Sequence, residues 1–330
     1  MHSKGTLLLN RTEISSLLTP DEYIQAVEGA FQAHGNARSL STGLLHIDSH
    51  GGEFHIKSSG LALDRTYVGV KCNGAFWQNR ERGLPYVHGG ILLFDGENGI
   101  PLAFMDSVEI TIQRTAAATA VAAKYLARPD SRVVTICGTG TQGRAQLRFL
   151  KRVLPIERVY AFGRGEESVG RYAAEMAAEL MVEVTPISNL AEVARQSDVI
   201  VTCTPSREPL LGAADVSPGT FVAAVGSDNP YKQELQLELV ASSTLVADIL
   251  EQCARVGELH HALEAGIMDT KDAYGELGEI VAGKKPGRTS ESEIIVFDST
   301  GTALQDVAAA AIAYERAVTA GRGSVFDLQA

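Results

Sequence analysis

The pattern of hydrophobic and polar positions changes character along the chain. The early part opens with one helical stretch, in which apolar residues recur at Ile24, Val27 and Phe31; Thr19 is placed to cap it and Gly35 to end it. Short apolar runs separated by glycine turns follow, such as "GEFHIKSSG", "TYVGVKCNG" and "GGILLFDGENGIPLAFMD". The "DGENG" segment is typical of a hairpin. Roughly the first hundred residues therefore predict an α+β unit with an antiparallel sheet.

From Ile110 onwards the pattern becomes an alternation of strands and helices. The stretch "TIQRTAAATAVAAKYLA" predicts an alanine-rich helix that Pro129 ends. Apolar runs then alternate with amphipathic segments, from "RVVTICG" and "QGRAQLRFLKRVL" to "EIIVFDSTG" and a last helix over "TALQDVAAAAIAYERAVTAG". This rhythm is typical of βαβ units around a parallel sheet. We predict an α/β protein with two domains: a Rossmann-type, doubly wound domain over 114–307, and an α+β domain formed by 1–113 plus 308–330.

Composition narrows the class of protein. The chain has 330 residues, a net charge of −11 and a pI of about 5.3, which argues against a nucleic-acid partner, whose binding surface would be basic. The N-terminal segment lacks the pattern of a signal peptide, and no apolar window reaches the roughly 18 residues of a membrane span. Four scattered cysteines without CxxC spacing indicate free thiols in a reducing compartment. We therefore expect a cytoplasmic enzyme that acts on small molecules.

A glycine turn carries the strongest local signal. Gly138, Gly140 and Gly143 lie in "VVTICGTGTQGRA", between a predicted buried strand and a predicted helix. A dinucleotide site needs this order: one glycine for the tight turn, one for close approach to the pyrophosphate, and one for helix–strand packing, with the helix N-terminus facing the phosphates. The alternative is a glycine-rich βα loop that binds no nucleotide.

The end of the next strand bears on which dinucleotide is preferred. NAD-binding domains usually place an acidic residue there, whereas this chain has Gly163 and Arg164. Arginine can bind a 2′-phosphate, so we predict a preference for NADP(H) over NAD(H); the alternative is a solvated Arg164, with Glu166 or Glu167 nearby. Thr204, after the strand "DVIVTCT", is predicted to lie beside the nicotinamide. The predicted cofactor contacts are Gly138, Thr139, Gly140, Thr141, Gln142, Arg164, Thr204 and Thr115.

Several motifs together resemble one known family. "GTGTQGRA", "SVEITIQRTAAATAVAAKYLA", "GSDNPYKQEL", "YGELGEIVAGKKPGR" and "STGTALQD" are similar to segments of the ornithine cyclodeaminase/μ-crystallin family, and the resemblance runs over nearly the whole chain. That family includes cyclodeaminases, alanine dehydrogenases and ketimine reductases. The resemblance implies a nicotinamide cofactor, a substrate-binding domain at 1–113 plus 308–330, and a homodimer formed through that domain.

The resemblance also implies roles for three residues. Lys71 matches the lysine that binds substrate, and Arg114 matches the arginine that clamps the substrate carboxylate, for which its planar fork is suited. For Lys71 the alternative is a strand lysine that reaches solvent; for Arg114 it is an internal ion pair with Glu109 or Asp106. Asp228 matches the family's acid, which can take a proton from a substrate ammonium and stabilise an iminium.

Two positions keep structural alternatives. Asp228 could instead cap an Asx turn in "DNP". Where many family members carry an arginine on an early strand, this chain has "FHIKSSG": Lys57 either takes over a substrate carboxylate or points outward, with Phe54 and Ile56 inward. No metal site is predicted, because the spacing of His46, His50 and His55 fits no known metal motif and is more typical of surface histidines.

The predicted chemistry is hydride transfer at the α-carbon of an amino or imino acid, with Lys71 and Asp228 as catalytic residues and Arg114, Lys57 and Lys71 binding substrate. The net result could be an amino-acid dehydrogenase or an imine reductase, which we favour. An ornithine cyclodeaminase with catalytic NAD is the first alternative. A non-catalytic protein that binds NADPH and a small ligand is the second.

Overall fold

The computed structural model describes residues 5–79 and 81–328. Its contacts divide the chain into two compact units, one formed by the residues up to Arg114 together with those from Thr302, and the other by Thr115–Gly301. The predicted outer domain limits at residues 1 and 330 lie outside the described residues. Within the described part of the chain, no helix is both long and apolar enough to cross a membrane.

The strands in chain order are β1 Thr6–Leu9, β2 Gly43–Ser49, β3 Gly52–Ala62, β4 Thr66–Phe76, β5 Val87–Asp95, β6 Pro101–Asp106, β7 Val133–Cys137, β8 Arg158–Phe162, β9 Glu183–Ile187, β10 Val199–Thr202, β11 Phe221–Ala224, β12 Thr244–Ala247, β13 Gly275–Glu276, β14 Ile295–Asp298 and β15 Ser324–Phe326. The α-helices are α1 Arg11–Ser15, α2 Pro20–Gly35, α3 Ser107–Leu126, α4 Thr141–Val153, α5 Glu166–Leu180, α6 Leu190–Ala194, α7 Leu237–Ser242, α8 Leu250–Val256, α9 Glu258–Glu264, α10 Leu277–Val281 and α11 Ala303–Ala320.

The first unit contains a seven-stranded sheet in the order β15-β1-β6-β5-β4-β3-β2. Its strands pair antiparallel, as predicted, except that β1 and β6 are parallel. Helix α11 packs on β3, β4 and α2, and its many alanines permit a close approach. A Cβ added at Gly69 on β4 would lie only 2.8 Å from Val307 of α11. The face of β4 that carries Gly69 and Lys71 is therefore the face that α11 covers.

The second unit contains an eight-stranded sheet in the order β13-β12-β14-β11-β10-β7-β8-β9, and every pairing in it is parallel. The order β9-β8-β7-β10-β11 is the 3-2-1-4-5 order of a doubly wound fold, in which ligands bind where the order reverses. Here that reversal lies between β7 and β10, whose ends carry the glycine turn and Thr204. The sequence pattern missed β13, because a strand of two residues has no periodicity.

Several local predictions are confirmed. Thr19 caps α2, with its hydroxyl accepting the N–H of Glu22, and Asp95 accepts the N–H of Glu97 in the predicted hairpin between β5 and β6. Helix α3 begins at Ser107 rather than near Ile110, because the Asp106 carboxylate accepts the N–H of Glu109 and stabilises an earlier first turn.

Candidate active site

The three glycines after β7 meet three different steric conditions. Gly138 has φ +113°, and a Cβ there would lie 2.8 Å from the carbonyl oxygen of Cys203 at the end of β10. A Cβ on Gly143 would lie 2.0 Å from the carbonyl oxygen of Gly138. At Gly140, by contrast, an added Cβ would meet none of the described atoms within 4 Å. Gly138 and Gly143 are thus required by the turn and by packing, and Gly140 leaves an open surface over the backbone.

The start of α4 lies at this open surface. Gly140 is its N-cap and supplies no side-chain acceptor for the N–H groups of the first turn, which begins at Thr141. The carbonyl oxygen of Thr139 accepts a hydrogen bond of 2.6 Å from Arg144, which holds the turn against the helix. Within the described chain, the buried Nε2 of Gln142 has no hydrogen-bond partner. This helix N-terminus has the donors and the dipole that favour an anion.

The end of β8 carries the second predicted cofactor feature. Gly163 approaches the glycine turn so closely that an added Cβ would lie 3.0 Å from the hydroxyl of Thr139. Arg164 follows and is exposed. Glu167, which the sequence left as a neighbour for Arg164, instead forms an ion pair with Arg171 at 3.1 Å.

The end of β10 is held by a buried glutamate. The N–H and hydroxyl of Thr204 each donate to Oε1 of Glu234 at 2.7 Å, and Oε2 of Glu234 accepts the N–H of Gly226 at 2.8 Å. Burial raises the pKa of Glu234. The Thr204 hydroxyl is therefore engaged within the protein, and its contact with a nicotinamide stays a prediction. The same holds for Thr115, which is half-buried on α3.

In the first unit, two predicted substrate residues meet at one carboxylate. Nζ of Lys71 lies 2.7 Å from Oδ2 of Asp306, and Nε of Arg114 lies 2.8 Å from Oδ1 of the same side chain. Arg114 also donates from Nη1 to Oε1 of Gln305 at 2.7 Å. All four side chains are buried. Lys71 is 3% exposed, so the alternative of a solvent-facing lysine is wrong.

The internal ion pair considered for Arg114 does exist, but its predicted partners were wrong. Asp106 pairs with Arg11 at 3.0 Å, and Glu109 accepts a hydrogen bond from Gln113 at 2.8 Å. The partner is Asp306, about 190 residues further along the chain, which only the packing of α11 brings to Arg114.

Lys57 joins the same cluster. It is the direct cross-strand neighbour of Lys71 between β3 and β4, and it is 6% exposed. Its charge lowers the pKa of both Lys71 and Asp306. The alternative in which Lys57 points outward is therefore wrong. Period-2 alternation separates the two faces of a strand without showing which face the protein covers.

The electrostatics of this cationic cluster, defined here as Lys57, Lys71, Arg114 and Asp306, favour an anionic ligand. Burial and then the Arg114 guanidinium lower the pKa of Lys71 from 10.5 to about 7. Burial alone would raise the pKa of Asp306, but Arg114 and Lys71 outweigh it and lower that pKa. Asp306 therefore remains ionised at neutral pH, and Lys71 changes charge within the physiological range.

Asp228 belongs to the second unit, in the loop after β11. Its side chain is 43% exposed and forms an ion pair of 2.6 Å with Lys232. The turn in this loop is made by the next residue, because Oδ1 of Asn229 accepts the N–H groups of Tyr231 and Lys232. The Asx turn weighed for Asp228 is thus formed by Asn229.

Two residues that organise these regions, Asp306 and Glu234, were not among the predicted site residues. Asp306 lies in the quoted motif "STGTALQD", and an acid within an otherwise apolar helix is itself a signal, since a buried carboxylate needs a partner. Glu234 gave no comparable signal, because "YKQEL" resembles an ordinary polar loop.

The known proteins that this chain resembles identify its family. Residues 4–321 match the ornithine cyclodeaminase/mu-crystallin family. The chain belongs to this family. Its predicted family and doubly wound fold are thereby confirmed.

Members of known activity are similar over the full length. Alanine dehydrogenase of Archaeoglobus fulgidus is 38% identical over 320 residues, 97% of each protein. The structure of an archaeal alanine dehydrogenase dimer with bound NAD is 36% identical, with a TM-score of 0.93 over 98% of this chain and 99% of that one. The Δ1-pyrroline-2-carboxylate reductase of Thermococcus litoralis, solved with NADH and L-proline, is 34% identical, with a TM-score of 0.92 over 97% and 100%. These relatives support the predicted oxidoreductase chemistry on amino acids or imines.

Proposed function

We propose that this chain is a nicotinamide-dependent oxidoreductase that interconverts an α-amino acid and its imine. The observation that carries the proposal is the buried grouping of Lys71 and Arg114 around Asp306. Two cations share one carboxylate there, so the planar carboxylate of a small substrate can bind the remaining donors. The dehydrogenase and reductase relatives support the reaction class.

Each residue has a distinct proposed role. Arg114 holds the substrate carboxylate through its fork, and Gln305 and Asp306 fix its orientation. Lys71 binds substrate and acts in catalysis, because an ammonium close to its pKa can polarise the reacting group or exchange a proton. Asp228 is the proposed acid/base, which takes a proton from the substrate ammonium and stabilises the iminium. Lys232 positions its carboxylate.

A bound nicotinamide dinucleotide would supply or accept the hydride. Gly138, Thr139, Gly140, Thr141 and Gln142 are proposed to hold its pyrophosphate, and Thr115 and Thr204 to contact it elsewhere.

We further propose that NADP(H) is preferred, because Arg164 is exposed at the end of β8. Arg164→Leu should lower kcat/KM for NADPH by about ten- to a hundredfold, the worth of a charged hydrogen bond, while NADH is unaffected. Arg171→Leu, which removes a paired arginine from α5, is the control. Equal effects on the two cofactors would contradict the preference.

The cationic cluster also limits the substrate side chain. Lys57 is buried next to Lys71, so a second substrate ammonium would be repelled, whereas a neutral or carboxylate side chain would be accepted. This disfavours the cyclodeaminase alternative, since that reaction needs a diamino acid.

The biological setting is part of the proposal. We expect a homodimer, as in the archaeal alanine dehydrogenase structure. We expect a reducing cytoplasm, because all four cysteines are free thiols.

The test follows the absorbance of the reduced nicotinamide with the purified full chain. L-amino acids are offered with NAD⁺ or NADP⁺, and cyclic imines or 2-oxo acids plus an amine with NADH or NADPH. Net consumption of cofactor with one substrate would support the proposal. Ammonia and proline formed from ornithine with catalytic NAD⁺ would replace it with the cyclodeaminase. Tight NADPH binding without any turnover would replace it with the binding protein.

A further inference from the structure

A second group of side chains converges on the hairpin of β2 and β3. His46 and His55 are direct cross-strand partners, and Glu53 lies on the same face of β3 as His55, two residues before it. The His46 and His55 rings stand edge to face with their centroids 4.8 Å apart. Glu53 is largely buried and His55 half-buried. Of the three histidines predicted to lie at the surface, His46 and His50 are exposed and His55 is half-buried.

The distances in this group suit a shared metal ion. Nε2 of His55 lies 3.2 Å from Oε1 of Glu53, and Nε2 of His46 lies 3.5 Å from Oε2 of Glu53. Potential ligand atoms of all three side chains lie within 4.8 Å of one another. Two ligands on one zinc ion, each bonded at about 2.0–2.1 Å in a tetrahedron, are about 3.3–3.4 Å apart. The Glu53 carboxylate thus already stands at coordination spacing from both imidazoles.

The donor set also selects a class of metal. Two imidazole nitrogens and one carboxylate suit Zn²⁺ and similar transition metals, whereas Mg²⁺ and Ca²⁺ prefer oxygen ligands throughout. Three protein ligands leave a fourth position for water or for Asp48, whose Oδ1 lies 3.1 Å from Nε2 of His46 on an exposed side chain. The spacing of these residues along the sequence does not reveal the site, because the pairing of β2 with β3 brings His46 next to His55.

We propose that His46, Glu53 and His55 form a site for a divalent transition metal of the zinc class. The ion fastens the exposed edge strand β2 to β3 across the turn that contains His50. This inference is independent of the proposed oxidoreductase activity, since it uses none of the residues assigned to that reaction.

The experiment uses tag-free full-length protein that has been stripped with a chelator. Zn²⁺ binding is measured by equilibrium dialysis, and Co²⁺ is added to follow the visible absorption of a low-symmetry nitrogen/oxygen site. His46→Gln and His55→Gln are compared with His50→Gln, a histidine of the same hairpin outside the cluster. Circular dichroism without metal verifies that each variant is folded; His46 is exposed, so its variant tests the site even if His55→Gln does not fold.

Wild type and His50→Gln should bind one Zn²⁺ per chain and give the same Co²⁺ spectrum. Loss of either ligand histidine should weaken Zn²⁺ binding by at least about ten- to a hundredfold, since loss of a group that only hydrogen-bonds a metal ligand already costs that much. The proposal is overturned if wild type binds Zn²⁺ no better than the His46→Gln variant, or if His50→Gln weakens binding equally.

Discussion

In the first unit three buried lysine and arginine side chains are grouped with one buried carboxylate, whereas in the second unit buried carboxyls of like sign accept hydrogen bonds from the backbone. The first case is the cationic cluster. The second is a group that we call the buried acid cluster: Glu234, Asp248, Glu258 and Asp298. A surplus of buried donors can bind an anionic ligand, whereas carboxyls that accept backbone N–H groups fix the loops around them.

Backbone N–H groups of the same unit donate to every carboxyl of the buried acid cluster. Glu258 accepts from the N–H groups of Glu234 at 2.8 Å and Leu235 at 3.2 Å, and Asp298 accepts from that of Leu259 at 3.0 Å. Burial raises the pKa of each of the four carboxyls, that of Asp298 to about 7. The cluster therefore retains protons more readily than exposed acids do and fixes the loops near the strand ends.

The cationic cluster differs because charged side chains hold its carboxylate, and Asp306 remains ionised. Lys71 and Arg114 together carry more N–H groups than one carboxylate can bind. This surplus is suited to a substrate carboxylate, whereas each carboxyl of the buried acid cluster accepts backbone N–H groups of its own unit.

The largest expected effect comes from removing Lys71. Lys71→Met should lower kcat/KM by about 10²–10⁴, the usual worth of an acid–base group, while the chain remains folded because Arg114 still neutralises Asp306. Steady-state kinetics on the substrate found in the absorbance assay measures it. Lys271→Met, at an exposed surface lysine, is the control. A fall in kcat/KM of less than tenfold for Lys71→Met would show that Lys71 does not act in catalysis.

A matched pair of amide substitutions compares the two clusters directly. Asp306→Asn leaves buried Lys71 and Arg114 without their shared anion and should cost about 3–5 kcal/mol of unfolding free energy. Glu258→Gln replaces one carboxyl oxygen, which accepts a backbone N–H, with an amide group that cannot accept it. Because burial has raised the pKa of Glu258, little charge is lost, and the change should cost only about 1–3 kcal/mol of unfolding free energy. Urea unfolding at neutral pH measures both. Equal losses would show that the clusters are held in the same way.

The buried acid cluster should make its own contribution to pH dependence. Asp298 has its pKa raised from 3.8 to about 7 in the folded state, so between these values the folded chain binds more protons than the unfolded one. The contribution of Asp298 to stability is therefore present at low pH and lost as the pH rises through about 7. Urea unfolding across that pH range should show that the unfolding free energy of Asp298→Asn falls less with rising pH than that of the wild type. An unchanged slope would contradict the raised pKa.

The smallest expected effect concerns Lys57. In the free enzyme, kcat/KM should fall as the pH rises through about 7, when Lys71 loses the proton with which we propose that it binds the substrate carboxylate. Lys57 lowers the pKa of Lys71, so Lys57→Met should move that inflection upward, by less than about one pH unit. A pH profile of each protein tests this. A downward movement would mean that Lys57 does not act on Lys71 through its charge.

Local signals in the sequence were enough for much of this protein. The helix that begins at Pro20, the hairpin at Asp95 and the turn with Gly138, Gly140 and Gly143 each depend on neighbouring residues, and caps, turns and periodicity act over that same short range. The family motifs added Lys71, Arg114 and Asp228 as candidate residues.

The tertiary structure alone decided how those residues are paired. Asp306 reaches Lys71 and Arg114 because α11 packs on β4, and His46 meets His55 because β2 and β3 pair in one register. Alternation divided β3 into two faces without showing which is buried, so the position of Lys57 stayed open. Sequence determines local conformation through short-range sterics and hydrogen bonds, whereas charge pairing and metal geometry depend on contacts between distant segments, which exist only once the sheet and its helix have packed.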